Sequence, residues 1–424
     1  MRITEKAMDI GEPSRAETIR SETDAFADSR TSMPPNLRHI RLLIACADKG
    51  SLTAAAASLG VTQPAASQAL KRLESQFGTV LIERDGMRLT AAGDIVVRRS
   101  RRLCDFIRRA CGQGLKSELP RIEARLTWSH LRAVSTFAEN GSFSAAARML
   151  GQSEPAVQGA ARQAEAIMGM PLFDGAGRAI SLNSRGLWAA RWFGLALAEF
   201  GNGMDEIAEA RGEYAGRVSI GTLPLTRTFL VPDVVATLAR RHPQARFEVT
   251  EGSYEALLAD LERGRIDILV GAMRADLPSK TLQQERLFDF ELRVVGRADH
   301  PLVTNDGITT SDLAKFPWIV ARRGTPSRET FRTMAASFQS PALESVETGS
   351  LNVIRGILLK SDHLALLSLH QIRYEMEAGF LAVLDHELPH SRRSVGATLR
   401  RHWLPTALQS EFLDVLREIS RDLS

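Results

Sequence analysis

Leu37, Ile40, Leu43, Ile44 and Ala47 recur at spacings of three and four, which predicts an amphipathic helix. Gly50 closes it, and Ser51 caps a second helix that runs through the alanines at 54–57 to Leu59. Gly60-Val61 makes a turn. Thr62 then caps a third helix with Pro64 in its first turn, where the missing N–H costs little. In that helix Leu70, Leu73 and Phe77 share one face, while Gln63, Ser67, Gln68, Lys71 and Arg72 share the other. Segments 80–84 and 87–90, turned at Asp85-Gly86, predict a two-stranded wing. A second helix that presents amides, hydroxyls and cations beside a wing suits the major groove of DNA.

The same pattern occurs twice. Residues 50–64 read GSLTAAAASLGVTQP and residues 141–155 read GSFSAAARMLGQSEP. A shift of 91 residues holds from Gly50/Gly141 through Gly78/Gly169 to Leu81-Ile82/Leu172-Phe173, and it has grown to 93 at Gly93/Gly186. That is an internal duplication. The second copy departs where contact with DNA would occur: Glu154 stands in place of Gln63, Gln158 of Ser67, Gly159 of Gln68 and Gly175 of Arg84. An acid at the tip of a recognition helix repels phosphates, yet Gly141, Ser142, Leu150, Pro155 and Phe173 keep the scaffold. Two readings follow: the second copy packs in the manner of a second protomer, or it reads a different sequence. A helical stretch follows each copy, roughly 91–117 and 184–212. These stretches can pair within one chain or between chains that bring four winged domains together.

From Tyr214 onward, short apolar segments alternate with helical ones. Expected strands are 218–221, 246–250, 266–270, 291–295, 318–320, 364–367 and 381–384, which imply a mainly parallel sheet with helices on both faces. Ligands of such folds sit beyond the carboxyl ends of strands. Thr222, Pro224 and Thr226, Ser253, Gly324 and Thr325, and Ser350 meet that description. Ser and Thr at these places are equally helix caps. Arg322 and Arg323 beside Gly324 can favour an anionic ligand or simply face water.

A chain of 424 residues exceeds one hydrophobic core. The formal net charge is +4, but its distribution matters more. Residues 36–93 hold seven Lys/Arg against four Asp/Glu, and residues 94–118 hold seven against three. Such concentration is the electrostatic footprint of nucleic-acid binding. Residues 1–35 are poor in large apolar side chains, are expected to be a flexible tail and carry no signal-peptide pattern, so a cytoplasmic location is expected. No apolar run reaches a membrane-spanning length. Cys46, Cys104 and Cys111 have no metal-ligand spacing and read as small buried thiols. Without GxSxG, HExxH, a P-loop or GxGxxG opening a βαβ unit, no enzyme is expected, and no cofactor or metal.

The run GSLTAAAASLGVTQPAASQALKRLE resembles the DNA-binding domain of LysR-type transcriptional regulators, and ARRHPQARFEVTEGSYEALLADLERGRIDILVGA resembles their effector domain. The resemblance implies a multidomain fold. Two all-α winged helix-turn-helix domains (36–93 and a degenerate 127–186), each with a linker helix (94–126 including a connector, and 187–212), precede an α/β, two-lobed, periplasmic-binding-protein-like type 2 effector domain (213–424). One lobe would span about 213–288 and 404–424, the other about 289–403. It further implies that Gln63 and Gln68 read base edges, and that Ser51, Thr62, Pro64, Ser67, Lys71 and Arg72 build the contact surface, with Arg84 on the wing. The implied partners are double-stranded promoter DNA, RNA polymerase and copies of the chain in a homodimer or homotetramer. The implied ligand is a small effector between the lobes, and likeness to the branch with a galactose-binding-protein regulator points to a sugar or small organic acid. The alternative is an anti-regulatory protein that uses its winged modules to associate with other regulators.

Overall fold

The computed structural model describes residues 34–83, 85–112, 119–175, 177–213, 216–305, 307–389 and 391–423, apart from the side chain at 178. Nearly all of the expected tail, and Arg84, lie outside the described residues. Helices α1 (Leu37–Lys49), α2 (Leu52–Ser58) and α3 (Gln63–Phe77) form the first helix-turn-helix. Ser51 and Thr62 accept from the N–H groups of Ala54 and Ala65 at 3.3 and 3.4 Å, so each hydroxyl satisfies an orphan donor of its helix. The wing holds together through one bridge, Ile82 to Leu89.

A long linker helix, α4 (Ala91–Cys111), follows, and then the short α5 (Leu119–Arg125). The second copy repeats the plan in α6 (Trp128–Asn140), α7 (Phe143–Leu150), α8 (Glu154–Met168), a wing of β1 (Phe173–Asp174) and β2 (Ser181–Leu182), and linker helix α9 (Ser184–Ala210). In each copy a glutamate ties wing to recognition helix. Glu74 accepts from Leu81 and Ile82 N–H at 2.9 and 3.4 Å, and Glu165 accepts from Leu172 and Phe173 N–H at 2.7 and 3.1 Å. Each wing also meets its linker helix over a glycine. A Cβ on Gly93 would lie 2.0 Å from the Leu81 carbonyl oxygen, and one on Gly186 2.1 Å from that of Leu172, so neither site accepts a larger residue without movement.

The remainder is two lobes, each with a five-stranded sheet. The first contains β3 (Arg217–Thr222), α10 (Leu230–Arg241), β4 (Arg246–Glu251), α11 (Tyr254–Arg263), β5 (Ile268–Ala272) and β6 (Leu282–Phe290). The second contains β7 (Leu292–Arg297), α12 (Thr310–Leu313), β8 (Pro317–Val320), α13 (Pro326–Ala335), β9 (Leu343–Glu347), α14 (Leu351–Leu358), β10 (Leu364–Ser368), α15 (Arg373–Glu377) and β11 (Leu381–Val383). The chain then returns through β12 (Arg393–Arg400) and α16 (Ala407–Arg421). Strand orders are β4-β3-β5-β12-β6 and β11-β7-β10-β8-β9.

Three strands escaped the sequence reading. β6 and β12 pair with each other antiparallel in the first lobe, and β9 is an exposed edge of the second. The lobe boundary shifts accordingly. β12 lies between β5 and β6, so residues 393–403 belong to the first lobe and not, as expected, to the second. The chain therefore crosses between lobes at Phe290–Leu292 and between β11 and β12. No helix among the described residues is long and apolar enough to cross a membrane.

Candidate DNA-reading surface and effector cleft

Ala66, Leu73 and Phe77 hold α3 against its domain, while Gln63, Pro64, Gln68, Lys71 and Arg72 stand exposed on the opposite side with Ser67 half-buried among them. Amides, a hydroxyl and two cations therefore share one face at helical spacing, and the caps Ser51 and Thr62 lie at its edge. The corresponding face of α8 carries Glu154, Pro155, Gln158 and Gly159, all exposed. Its one arginine, Arg162, is engaged with Glu165 at 2.7 Å and lies 5.2 Å from the centre of the Phe173 ring. The first copy thus offers two exposed cations on its recognition helix, whereas the second carries one, Arg162, at the position of Lys71 and tied to Glu165.

Most arginines of the first linker, which the charge count attributed to nucleic-acid binding, are paired with acids. Arg99 is buried and donates to Glu199 at 2.8 Å, to Glu206 at 2.6 and 3.0 Å and to the Leu404 carbonyl at 2.8 Å. Burial opposes its charge, yet these carboxylates hold its pKa above the usual arginine value. Arg98 joins Glu206, Arg102 joins Glu199 and the His402 carbonyl, Arg101 joins Asp48, and Arg108 joins Glu123 and Asp105. Local charge counting could not see this, because the acids that neutralise the cluster lie mostly outside it, up to about a hundred residues away.

The bonds to Glu199 and Glu206 mark the seam between α4 and α9, which pack against each other antiparallel. Phe106 stacks on Trp192 at 5.7 Å, Trp188 Nε1 donates to the Arg109 carbonyl at 2.8 Å, and Arg109 lies over Trp192 at 5.0 Å. The first lobe seats on the same helices. Gln409 donates to Asn202 at 3.3 Å, Arg191 to Thr281 at 2.6 Å, and a Cβ on Gly194 would approach the Arg263 carbonyl to 2.5 Å. The three cysteines are buried and free of disulfides; burial pushes the Cys46 and Cys104 thiols up to about 11 and the Cys111 thiol up to about 12.

Because β3, β4 and β5 run parallel, as do β8, β9 and β10, the loops after β3 and β4 leave one edge of the first sheet and those after β8 and β9 leave one edge of the second; Arg227, from the loop after β3, reaches the Gly349 carbonyl beside Ser350. Their residues play different parts. Thr222 and Thr226 are fully buried and bonded to each other at 2.9 Å, and Thr226 also donates to the Val270 carbonyl at 3.0 Å. Their hydroxyls turn inward and brace the loop, which exposes Pro224 and presents Arg227. Ser253 caps α11 and Thr325 caps α13, through 3.2 and 3.3 Å bonds. Gly324 is exposed with φ at +77°. Ser350 is half-buried and caps nothing with its side chain.

Two residues were missed. Arg227 pairs with Glu251 and donates to the Gly349 carbonyl at 3.1 Å, which ties the two lobes across the cleft. His370, just after β10, stacks on Phe229 of the first lobe at 5.1 Å and meets Phe288 edge-on at 5.5 Å. Burial, with Arg373 nearby, lowers its pKa. A cavity of about 360 Å³ opens beside it at the hinge, lined also by Phe290 and Arg293. The strand-end rule that selected the four loops applies equally to β10, so His370 was within reach; Arg227 was hidden by attention to small hydroxyl side chains.

Comparison with known proteins agrees with this architecture. The family model described as LysR substrate binding domain matches residues 211–421. That described as bacterial regulatory helix-turn-helix protein, lysR family, matches twice, at 37–94 and 128–187. The HTH-type transcriptional regulator GalR of Pseudomonas putida is 30% identical over 394 residues, covering 91% of this chain and 97% of the relative. PcaQ of Agrobacterium fabrum is 25% identical over 304 residues, covering 71% and 97%. Full-length OxyR from Pseudomonas aeruginosa shares the fold with a TM-score of 0.54 at 20% identity, covering 70% of this chain and 95% of that one. A duplicated helix-turn-helix joined by linker helices to a two-lobed effector domain, matched by both family models, shows that this chain belongs to the LysR family and is a DNA-binding transcriptional regulator.

Proposed function

We propose that the chain reads its promoter through α3, with Gln63, Ser67 and Gln68 at base edges and Ser51, Thr62, Lys71 and Arg72 at the phosphate backbone. Pro64 sets the first turn of that helix, and Arg84 reaches from the wing. The second winged domain keeps the shape without the reading surface. The observation that carries this is the contrast between the two recognition helices: exposed amides and two cations on α3, against an acid, an amide and a glycine on α8, whose one cation, Arg162, is paired with Glu165. A good bidentate base contact discriminates by about 1–3 kcal/mol. Gel shift on the chain's own upstream DNA at fixed salt tests it. Sequence-specific, salt-sensitive binding that Gln63→Ala weakens supports the reading; specific binding indifferent to Gln63→Ala and Arg72→Ala refutes it.

The effector is a small organic acid or sugar held between the lobes by Pro224, Ser253, Gly324, Thr325 and Ser350 together with Arg227, while Thr222 and Thr226 shape the loop. Arg227, with Arg322 and Arg323 exposed beside Gly324 in the second lobe, favours the acid. Movement of the lobes shifts β12, and the segment after it carries the two carbonyls that Arg99 and Arg102 grip. Effector occupancy thus reaches the linker helices. RNA polymerase at the promoter is the partner on which such a signal acts, in the cytoplasm.

A further inference from the structure

The α4–α9 seam has a symmetry that its sequence breaks. In this part of the duplication a residue corresponds to the one 93 positions later, as Gly93 does to Gly186. Arg99 thus corresponds to Trp192, and Phe106 to Glu199. In the structure Arg99 touches Glu199, and Phe106 touches Trp192. These two contacts are mates under a pseudo-twofold axis, the reciprocal pattern of a symmetric dimer interface in which i meets j and j meets i. One mate has become a buried ion pair and the other an aromatic stack.

That divergence decides which helices can pair. Two copies of α4 in this geometry would set Arg99 against Phe106 at both ends and bury two guanidinium groups without carboxylates. Two copies of α9 would set Glu199 against Trp192 and bury two carboxylates without cations. Burying an unpaired charge is strongly unfavourable. Only the α4–α9 pairing satisfies both ends, and Gly203 deepens it by letting the Arg99 stem approach to within 3.3 Å of where a Cβ would sit. The winged domains are locked in the same arrangement: Trp128 donates to the Pro35 carbonyl at 2.5 Å, Arg38 to that of Ala124 at 2.8 Å, and Phe200 lies 4.6 Å from Trp128 and 6.4 Å from Phe77.

We infer that α4 and α9 form an obligate unlike pair closed within one chain, so that a single chain is the complete DNA-reading unit and further assembly of chains uses surfaces outside this seam. With the reading of α3 and α8 given above, each such unit engages one specific half-site. The seam itself is tested without DNA. Phe106→Cys/Trp192→Cys in the full chain places two thiols at the stacked position, and the native thiols, buried and hard to ionise, serve as the silent background with each single variant as control.

After mild oxidation, a non-reducing denaturing gel should show a chain-length band with altered mobility, its yield constant over about a hundredfold dilution. A band of twice the chain mass that grows with concentration would overturn the inference, because the pairing would then run between chains. Should that variant fail to fold, Arg109→Cys/Trp188→Cys probes the same seam about one turn away with the same two outcomes. Loss of operator binding with an intrachain crosslink intact would refute the DNA-reading assignment and leave the pairing standing.

Discussion

Arg99→Met removes the cation from the centre of the seam without shortening the side chain much. Arg99 is 2% exposed; it bonds Glu206 Oε1 and the Leu404 carbonyl, and it shares Glu199 Oε1 with Arg102 and Glu206 Oε2 with Arg98. Removing one partner of a buried ion pair costs about 3–5 kcal/mol, mostly through the charge left behind. Arg102 remains on Glu199 at 2.9 Å and Arg98 on Glu206 at 2.8 Å, so the lower end, about 3 kcal/mol, applies. If the slowest amides of α4 and α9 exchange by opening of the seam, about 3 kcal/mol speeds them roughly a hundredfold. Hydrogen exchange resolved by peptide reads this directly, with α14 in the second lobe as an unaffected reference. The triple variant Arg99→Met/Glu199→Gln/Glu206→Gln should recover much of the loss, because no carboxylate is then stranded. Acceleration below about threefold in the single variant, or a triple variant worse than the single, would refute the ion-pair account of the seam.

Gly93→Ala should destabilise the first winged domain by about 2 kcal/mol or more, since the new methyl meets a backbone carbonyl; thermal unfolding followed by circular dichroism checks it. Arg227→Met should weaken effector binding at least tenfold in calorimetry while leaving operator affinity without effector unchanged; equal affinity for the effector would exclude Arg227 from the site. His130 accepts from the Thr127 N–H at 3.1 Å through Nδ1, and burial lowers its pKa below 6.5. The unfolded chain therefore binds that proton first, so this contribution to stability is complete above pH 6.5 and is lost as pH falls from there toward the folded-state value. Denaturant midpoints measured from pH 8 to 5 should decline less in His130→Gln than in the parent.

The winged domains were readable because each local choice agreed with the whole: caps at Ser51 and Thr62, Pro64 in a first turn, glycines at helix ends, and a second copy repeating the pattern. The effector domain was readable where strands are buried and apolar, as β3, β5 and β10 are. It was opaque where the environment comes from far away. β9, LESVE, is an edge strand almost wholly exposed and looks like loop. β12 is buried between β5 and β6 although its sequence, RSVGATLR, is short on large apolar residues. At Gly396 a Cβ would lie 2.5 Å from the Glu285 carbonyl, so close strand approach, not hydrophobicity, selects that residue. The placement of Thr222 and Thr226 was legible but their orientation was not, since it depends on the Val270 carbonyl across the sheet. The pairing of the linker arginines was hidden for the same reason, as Glu199 and Glu206 approach them only in the folded seam.

On the proposed reading, one chain reads DNA through α3 and uses its second winged domain as scaffold. Hydroxyl-radical footprinting of the full chain on its operator, compared with Gln63→Ala and with Glu154→Ala, tests it most directly. Gln63→Ala should lose about 1–3 kcal/mol, roughly fivefold to 150-fold in affinity, and erase sequence-specific protection, whereas Glu154→Ala should leave both nearly unchanged or slightly strengthen binding. Comparable losses from both substitutions, each confined to its own half-site, would contradict it.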